Sequence, residues 1–315
     1  MKNKYSILVT GCGGDIGQSI GKILNEYSLV KSLYGIDITD KNAGQFIFKF
    51  FSLGLPSKHK EYISSLESFI DENNIDFIIP VSETEIRFLS KNNINNNIGR
   101  AKIISASLKA QKIGFDKLKT AMFLKENQLP YPKTSLISDK DSTIQLPLIL
   151  KSRQGSGSSK VHLVRNKESF NFFKKSHPNF IAQEYIEDIE GEYTCCVFKS
   201  SKKELRMIVF KRILFGGYSS YGKVIENKKI SDLLKEISKT LDLKGSINVQ
   251  LRMKDDTPYV FEINPRFSST VLFRHMLGFK DLIWSIEDAL GLDISPYTNE
   301  NVGKEFFKGF AEYIK

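Results

Sequence analysis

Up to about residue 110 the chain alternates short apolar runs with helical stretches, and beyond that point the rhythm stops. Residues 5–10, 32–37 and 75–81 read as buried strands, with helices predicted over about 18–27 and 59–73. Strands separated by helices predict a parallel sheet with helices on its faces. Further on, residues 146–151 and 161–164 read as strands around a Gly/Ser-rich loop, followed by a strand over 181–186. A helix is predicted from Asp116, as its cap, to about Asn127, where Leu129-Pro130 ends it. Residues 207–215 form an apolar strand interrupted by Arg212, and a Gly/Ser/Tyr loop is predicted from Gly216 to Gly222. A helix near 280–290 and a closing segment over 308–314 complete the pattern.

The most telling stretch is a predicted pair of strands near the end. Residues 246–252 alternate strictly, with Ile247, Val249 and Leu251 on one face and Asn248, Gln250 and Arg252 on the other. In residues 260–266 the same period puts Glu262, Asn264 and Arg266 on one side, and Phe261 and Ile263 on the other. Glu262 and Asn264 then lie about 6–7 Å apart. That spacing suits oxygen ligands for a hard cation such as Mg2+, which keeps phosphates as its other partners. Pro265 ends the ladder. Arg266 offers a forked cation just beyond it. A five-residue loop over 254–258 would set Gln250 opposite Glu262 and Asn248 opposite Asn264, whereas a one-residue slip would turn Gln250 away. An ordinary amphipathic hairpin with a solvated polar face is the competing reading.

Asn248-Val249-Gln250 with Glu262-Ile263-Asn264-Pro265-Arg266 resembles the metal-binding motif of the ATP-grasp superfamily, nearest to the branch of the carbamoyl-phosphate synthase large subunit and related carboxylate–amine ligases. The resemblance implies an α/β (α+β) ATP-grasp fold. A Rossmann-like, parallel-sheet pre-ATP-grasp domain (1–108) would precede two ATP-grasp subdomains (109–184 and 185–315), with ATP between them. It implies that Gln250, Glu262 and Asn264 hold Mg2+, with Mn2+ as an alternative ion, against the ATP phosphates. Arg266 would steady an acyl-phosphate, and Arg212 would face the substrate phosphate with Tyr218 and Tyr221 nearby. Lys151 would reach the phosphates at the end of its strand, and Lys117 would touch them from a helix start. The loop holding Gly155, Ser156, Gly157 and Ser158 would act as a lid whose small residues let backbone N–H groups approach phosphate. Glu184 and the backbone of Tyr185 and Ile186 would receive adenine, and Glu192 the ribose hydroxyls. The reaction implied is ATP-dependent joining of a small carboxylate to an amine, without nucleic acid or membrane, in an assembly that allows a homodimer. A non-catalytic nucleotide-binding module of the same fold is one rival.

The other rival comes from the start of the chain. Thr10-Gly11-x-x-Gly14-x-x-Gly17, with Asp37 twenty residues on, is a dinucleotide-like turn. It resembles that of NAD-dependent short-chain dehydrogenases and epimerases. Those enzymes need a downstream Tyr-x-x-x-Lys pair, and the spacing occurs here only at Tyr27–Lys31. In ATP-grasp pre-domains such glycines serve the tight turn, and residues 80–85 match a loop on the acceptor side, with Ser82 and Glu83 as candidates.

Composition adds modest constraints. The 315 residues suffice for two or three domains, and no apolar stretch reaches the roughly 20 residues of a bilayer span. Met1-Lys2-Asn3-Lys4 leads into a core strand rather than a signal peptide. Three cysteines give no disulfide framework and four histidines no zinc spacing, which favours a cytoplasmic protein. The net charge of +10 is spread without a basic stripe, so it reads as nucleotide-facing charge plus solvated surface.

Overall fold

The computed structural model describes residues 4–139, 142–155 and 161–315. Its first sheet contains β1 (Tyr5–Thr10), β2 (Val30–Asp37), β3 (Phe50–Leu53), β4 (Phe77–Pro80), β5 (Asn97–Ile98) and β6 (Ala101–Ile103) in the order β3-β2-β1-β4-β6-β5. All pairs are parallel except β5–β6. Helices α1 (Asp15–Asn25), α2 (Tyr62–Glu72) and α3 (Glu83–Lys91) supply the crossovers. Helix α1 starts three residues before the predicted position, because Gly14 already takes the extended conformation that precedes a helix.

Helices α4 (Leu108–Gly114) and α5 (Lys117–Glu126) lead out of this sheet. Asp116 caps α5 as predicted, accepting from the amides of Leu118 and Lys119. A four-stranded sheet follows, built from β7 (Thr134–Leu136), β8 (Leu148–Ser152), β9 (Val161–Val164) and β10 (Phe180–Glu184) with α6 (Lys167–Ser176). Its order is β7-β10-β8-β9. A six-stranded antiparallel sheet comes next, from β11 (Glu192–Lys199), β12 (Leu205–Phe215), β13 (Tyr218–Ile225), β14 (Gly245–Lys254), β15 (Thr257–Asn264) and β16 (Glu305–Phe307). Its order is β15-β14-β11-β12-β13-β16. Helix α7 (Lys228–Thr240) lays Ile230, Leu234 and Ile237 on one face of that sheet, against Val197, Val209 and Val249. The predicted Gly/Ser/Tyr loop is a tight turn at Gly216-Gly217, where both φ values are positive, followed directly by β13. Residues 308–314 are neither helix nor strand. Among the described residues no helix is long and apolar enough to cross a membrane.

The β14–β15 hairpin has the expected pairing by an unexpected route. The turn is two residues, Asp255 and Asp256, with φ of 50° and 56°, which suits a type I′ turn. From Lys254↔Thr257 to Leu251↔Val260 the strands pair in one register. It then shifts, so that Phe261 is an extra residue and Gln250 pairs with Glu262, Asn248 with Asn264. The bulge also breaks the alternation: Val260 and Ile263, three apart, share one apolar cluster. Phe261 does not lie opposite Glu262 as expected, since its ring sits under Lys151, 5.3 Å from the ammonium.

The first sheet shares its core with the far end of the chain. Helices α8 (Val271–Met276) and α9 (Asp281–Ala289) place Val271, Leu282 and Ile286 among Ile7, Val9, Ile20 and Leu24. A buried ion pair holds these two helices to each other and to β14. Arg274 donates to both Asp281 oxygens at 3.1 and 2.8 Å, and its remaining nitrogen reaches Ser268 and Thr270. Ser246 of β14 donates to the same Asp281 at 2.7 Å. Removing one partner strands a buried charge. Asp281→Ala is therefore expected to lower unfolding free energy by about 3–5 kcal/mol in denaturant titration. A loss below about 1 kcal/mol would mean the pair is dispensable.

Candidate active site

Three elements converge on Glu262. The polar face of β14–β15 presents Gln250, Glu262 and Asn264 side by side. Lys117, the first residue of α5, places its Nζ 3.9 Å from a Glu262 oxygen. Lys151, from β8, is almost fully buried and donates to the carbonyl of Phe261 at 3.3 Å. Burial drives the Lys151 amine down to about 8; Glu262 holds it up and Lys117 pushes it down. Burial alone would raise the Glu262 carboxyl, yet Lys117, Lys151 and an Asn264 hydrogen bond outweigh it and the net shift is downward. Glu262 is thus held as a carboxylate among cations.

The donor set is one carboxylate and two carboxamides. No three His, Cys, Asp or Glu side chains gather to hold a metal among the described residues. Oxygen donors of this kind, short of a full shell, fit Mg2+ whose other ligands are phosphate oxygens and water. Asn248 is tied to its neighbours at both ends: its amide nitrogen donates to Thr194 and to the Cys195 carbonyl, and its oxygen accepts from Gln250 at 3.3 Å.

Arginines order the neighbouring strands. Arg212 donates to Glu192 at 2.8 Å and to the Gln250 carbonyl oxygen at 3.0 Å. Arg252 holds the other Glu192 oxygen at 2.9 Å and the Ile186 carbonyl at 2.8 Å. Arg266 donates to the Phe267 carbonyl and lies among Glu83 and Glu262. Asp116 pairs with Arg153 at 2.8 Å. The Lys117 ammonium also donates to the Gly155 carbonyl, which ties the helix start to the end of the loop.

A cavity of about 1180 Å3 joins these groups to the first sheet. Lys117, Lys151, Arg212, Gln250, Glu262, Asn264 and Arg266 line one side with Gly155. Thr10, Gly11 and Gly14 of the glycine turn line the other, with Tyr62, Ser82, Glu83 and Glu85. Tyr218 also lines it; Tyr221 does not, and packs instead on Phe307. Glu184, Tyr185, Ile186 and Glu192 lie outside this lining. The Glu184 carboxylate accepts from the Lys133 amide at 3.2 Å. Ser156, Gly157 and Ser158 lie outside the described residues.

The glycine turn has a structural explanation. Asp37 accepts from the Gly13 amide at 2.8 Å, so its carboxylate secures the turn itself. A Cβ on Gly17 would come within 2.5 Å of the Gly11 carbonyl oxygen, so glycine is needed where helix meets turn. Tyr27 bonds Glu287 and lines a separate, smaller cavity, away from any dinucleotide position. Sequence reading missed Arg252 as a site residue, although it continues the period-two polar face of Asn248 and Gln250. It also missed Glu85, whose burial only the packing of α3 reveals.

A parallel sheet thus leads into two antiparallel sheets, and a cation-lined cleft lies beside the Gln250–Glu262–Asn264 hairpin. Residues 115–270 match the ATP-grasp domain family, and through that domain the chain belongs to the ATP-grasp superfamily. It is 40% identical over 67 residues to the carbamoyl phosphate synthase large chain of Caldanaerobacter subterraneus, a stretch covering 21% of this chain and 6% of that one. An uncharacterized protein of Methanocaldococcus jannaschii is 26% identical over 162 residues, 49% of this chain and 41% of its own length. Both matches thus span under half of the relative. N5-carboxyaminoimidazole ribonucleotide synthetase from Thermus thermophilus shares the fold with a TM-score of 0.74 at 16% identity, over 92% of this chain and 79% of that one.

The Lys151–Glu262 coupling can be read directly. The Lys151 amine should titrate near about 8 in NMR of 13Cε-labelled lysine. Glu262→Gln removes the carboxylate that holds it up and should move it lower. A titration that stays put would show that the two side chains do not interact.

Proposed function

We propose that this protein is an ATP- and Mg2+-dependent ligase that joins a carboxylate to an amine through an acyl-phosphate. The observation that carries this is Glu262, kept ionised between Lys117 and Lys151 at the floor of the cavity with Gln250 and Asn264 in register. Gln250, Glu262 and Asn264 would hold Mg2+, whose chemistry when bound would be to neutralise phosphate charge. Lys117, Lys151 and Arg266 would hold phosphate oxygens, and Arg212 the substrate side. Preorganised cations of this sort stabilise charge that spreads over the transferring phosphoryl group.

In the first step a substrate carboxylate oxygen bonds to the γ-phosphorus. The bridging oxygen leaves with ADP. In the second, the amine nitrogen bonds to the acyl carbon, inorganic phosphate departs, and the nitrogen loses a proton. No side-chain nucleophile is needed. The structural likeness to a carboxyaminoimidazole ribonucleotide synthetase and the sequence likeness to a carbamoyl phosphate synthase chain support such chemistry. Glu184, Glu192 and the Tyr185–Ile186 backbone remain our assignment for adenine and ribose.

The test supplies MgATP and a panel of carboxylic acids, with hydroxylamine as a general amine. ADP release coupled to hydroxamate formation is expected for at least one acid. Glu262→Ala should cut it by about 100-fold or more while MgADP still raises the wild-type melting temperature. Unimpaired turnover in that variant would remove Glu262 from the reaction.

A further inference from the structure

The two walls of the cavity carry opposite charge. On the ATP-grasp side Lys117, Lys151, Arg212 and Arg266 face it, against the single carboxylate Glu262. On the first-sheet side the lining holds Asp15, Asp37, Glu72, Glu83 and Glu85, and no lysine or arginine among the described residues. Several of these acids have partners. Asp15 meets Lys308, Asp37 takes the Gly13 amide, and Glu83 accepts from the Gly155 amide and faces Arg87.

Glu85 is different. It is only 6% exposed and makes no ion pair among the described residues. Its partners are hydroxyls: Thr10 lies 2.6 and 2.7 Å from its two oxygens, and Tyr62 donates to the first of them. Burial pushes its carboxyl upward, against the hydrogen bonds from Thr10 and Tyr62. Burial thus favours the neutral acid, a cation brought beside Glu85 would favour its charged form, and two hydroxyl donors leave part of its acceptor capacity unused. Thr10, Tyr62 and Glu85 all line the cavity. A cationic group of a ligand in the cavity would meet Glu85 there.

We propose that Glu85, flanked by Thr10 and Tyr62, receives an ammonium group of the acceptor, so that the acceptor is a cationic or zwitterionic amine and not a phosphorylated one. This rests on the ligase reading of the neighbouring cation cluster, and it adds the acceptor's charge class. A phosphate on the acceptor would find no lysine or arginine in the lining of that wall among the described residues. An ammonium would compensate Glu85 and leave the basic wall to the nucleotide.

The full chain saturated with MgADP is titrated calorimetrically with L-alaninamide and putrescine as cationic probes and ribose 5-phosphate as the anionic one. A cationic probe should bind and ribose 5-phosphate should not. Glu85→Gln should weaken the cation by about 30-fold with MgADP affinity kept, since a buried charge partner is lost. Tyr62→Phe and Thr10→Val should weaken it less, and they decide the matter if Glu85→Gln does not fold. Binding of ribose 5-phosphate as tight as the cations, no binding of either cation, or unchanged affinity in all three variants would overturn the proposal. Failure of the wild type to bind MgADP would instead overturn the ligase reading.

Discussion

The site depends on the register of a single hairpin. Side chains alternate across a strand, so a slip of one residue between β14 and β15 would send Gln250 and Glu262 to opposite faces. Two features set the register together: the Asp255-Asp256 turn and the extra residue Phe261. The bulge lets Val260 and Ile263 both enter the apolar layer beneath α7 while Glu262 and Asn264 stay on the polar side. Burial of that layer is what makes the register costly to lose, at roughly 25 cal/mol for each Å2 of apolar surface returned to water.

Around the hairpin, charge is balanced by partners from other parts of the chain. Lys151 comes from the four-stranded sheet, Lys117 from α5 and Glu262 from the six-stranded sheet. A buried lysine and a half-buried carboxylate are each unfavourable alone and tolerable together. The same logic runs through Arg212, Glu192 and Arg252, where one carboxylate spans two guanidiniums on the strands flanking its own. Arg252 then reaches the Ile186 carbonyl, linking the segment that follows β10 to the β14–β15 hairpin. Such a network specifies one arrangement of the sheets rather than a range of them.

The first sheet illustrates how one motif can serve a different end. A glycine-rich turn after a strand, followed by an acid twenty residues on, is what a dinucleotide site uses. Here Asp37 closes on the Gly13 amide, and the turn borders a cavity whose other wall is the cation cluster. The core of this sheet is completed by α8 and α9, which follow the β14–β15 hairpin in the chain. Cys12 of the turn packs in the core that α8 and α9 complete, and Asp281 of α9 accepts from Ser246 of the hairpin strand β14.

The chain's own pattern determined a good deal: the strand–helix rhythm of the first third, the Asp116 cap, the strict alternation of 246–252, and the Gln, Glu, Asn and Arg of the hairpin. These are local, since period and turn chemistry are written in neighbouring residues. The tertiary structure alone decided that Phe261 bulges, that residues 216–222 are a turn and a strand, and that Tyr221 turns away from the cavity. It alone placed Glu85 beside Thr10 and Tyr62, residues 75 and 23 positions away. Such facts depend on which distant surfaces meet, and burial then changes both the register a strand prefers and the charge a side chain can carry.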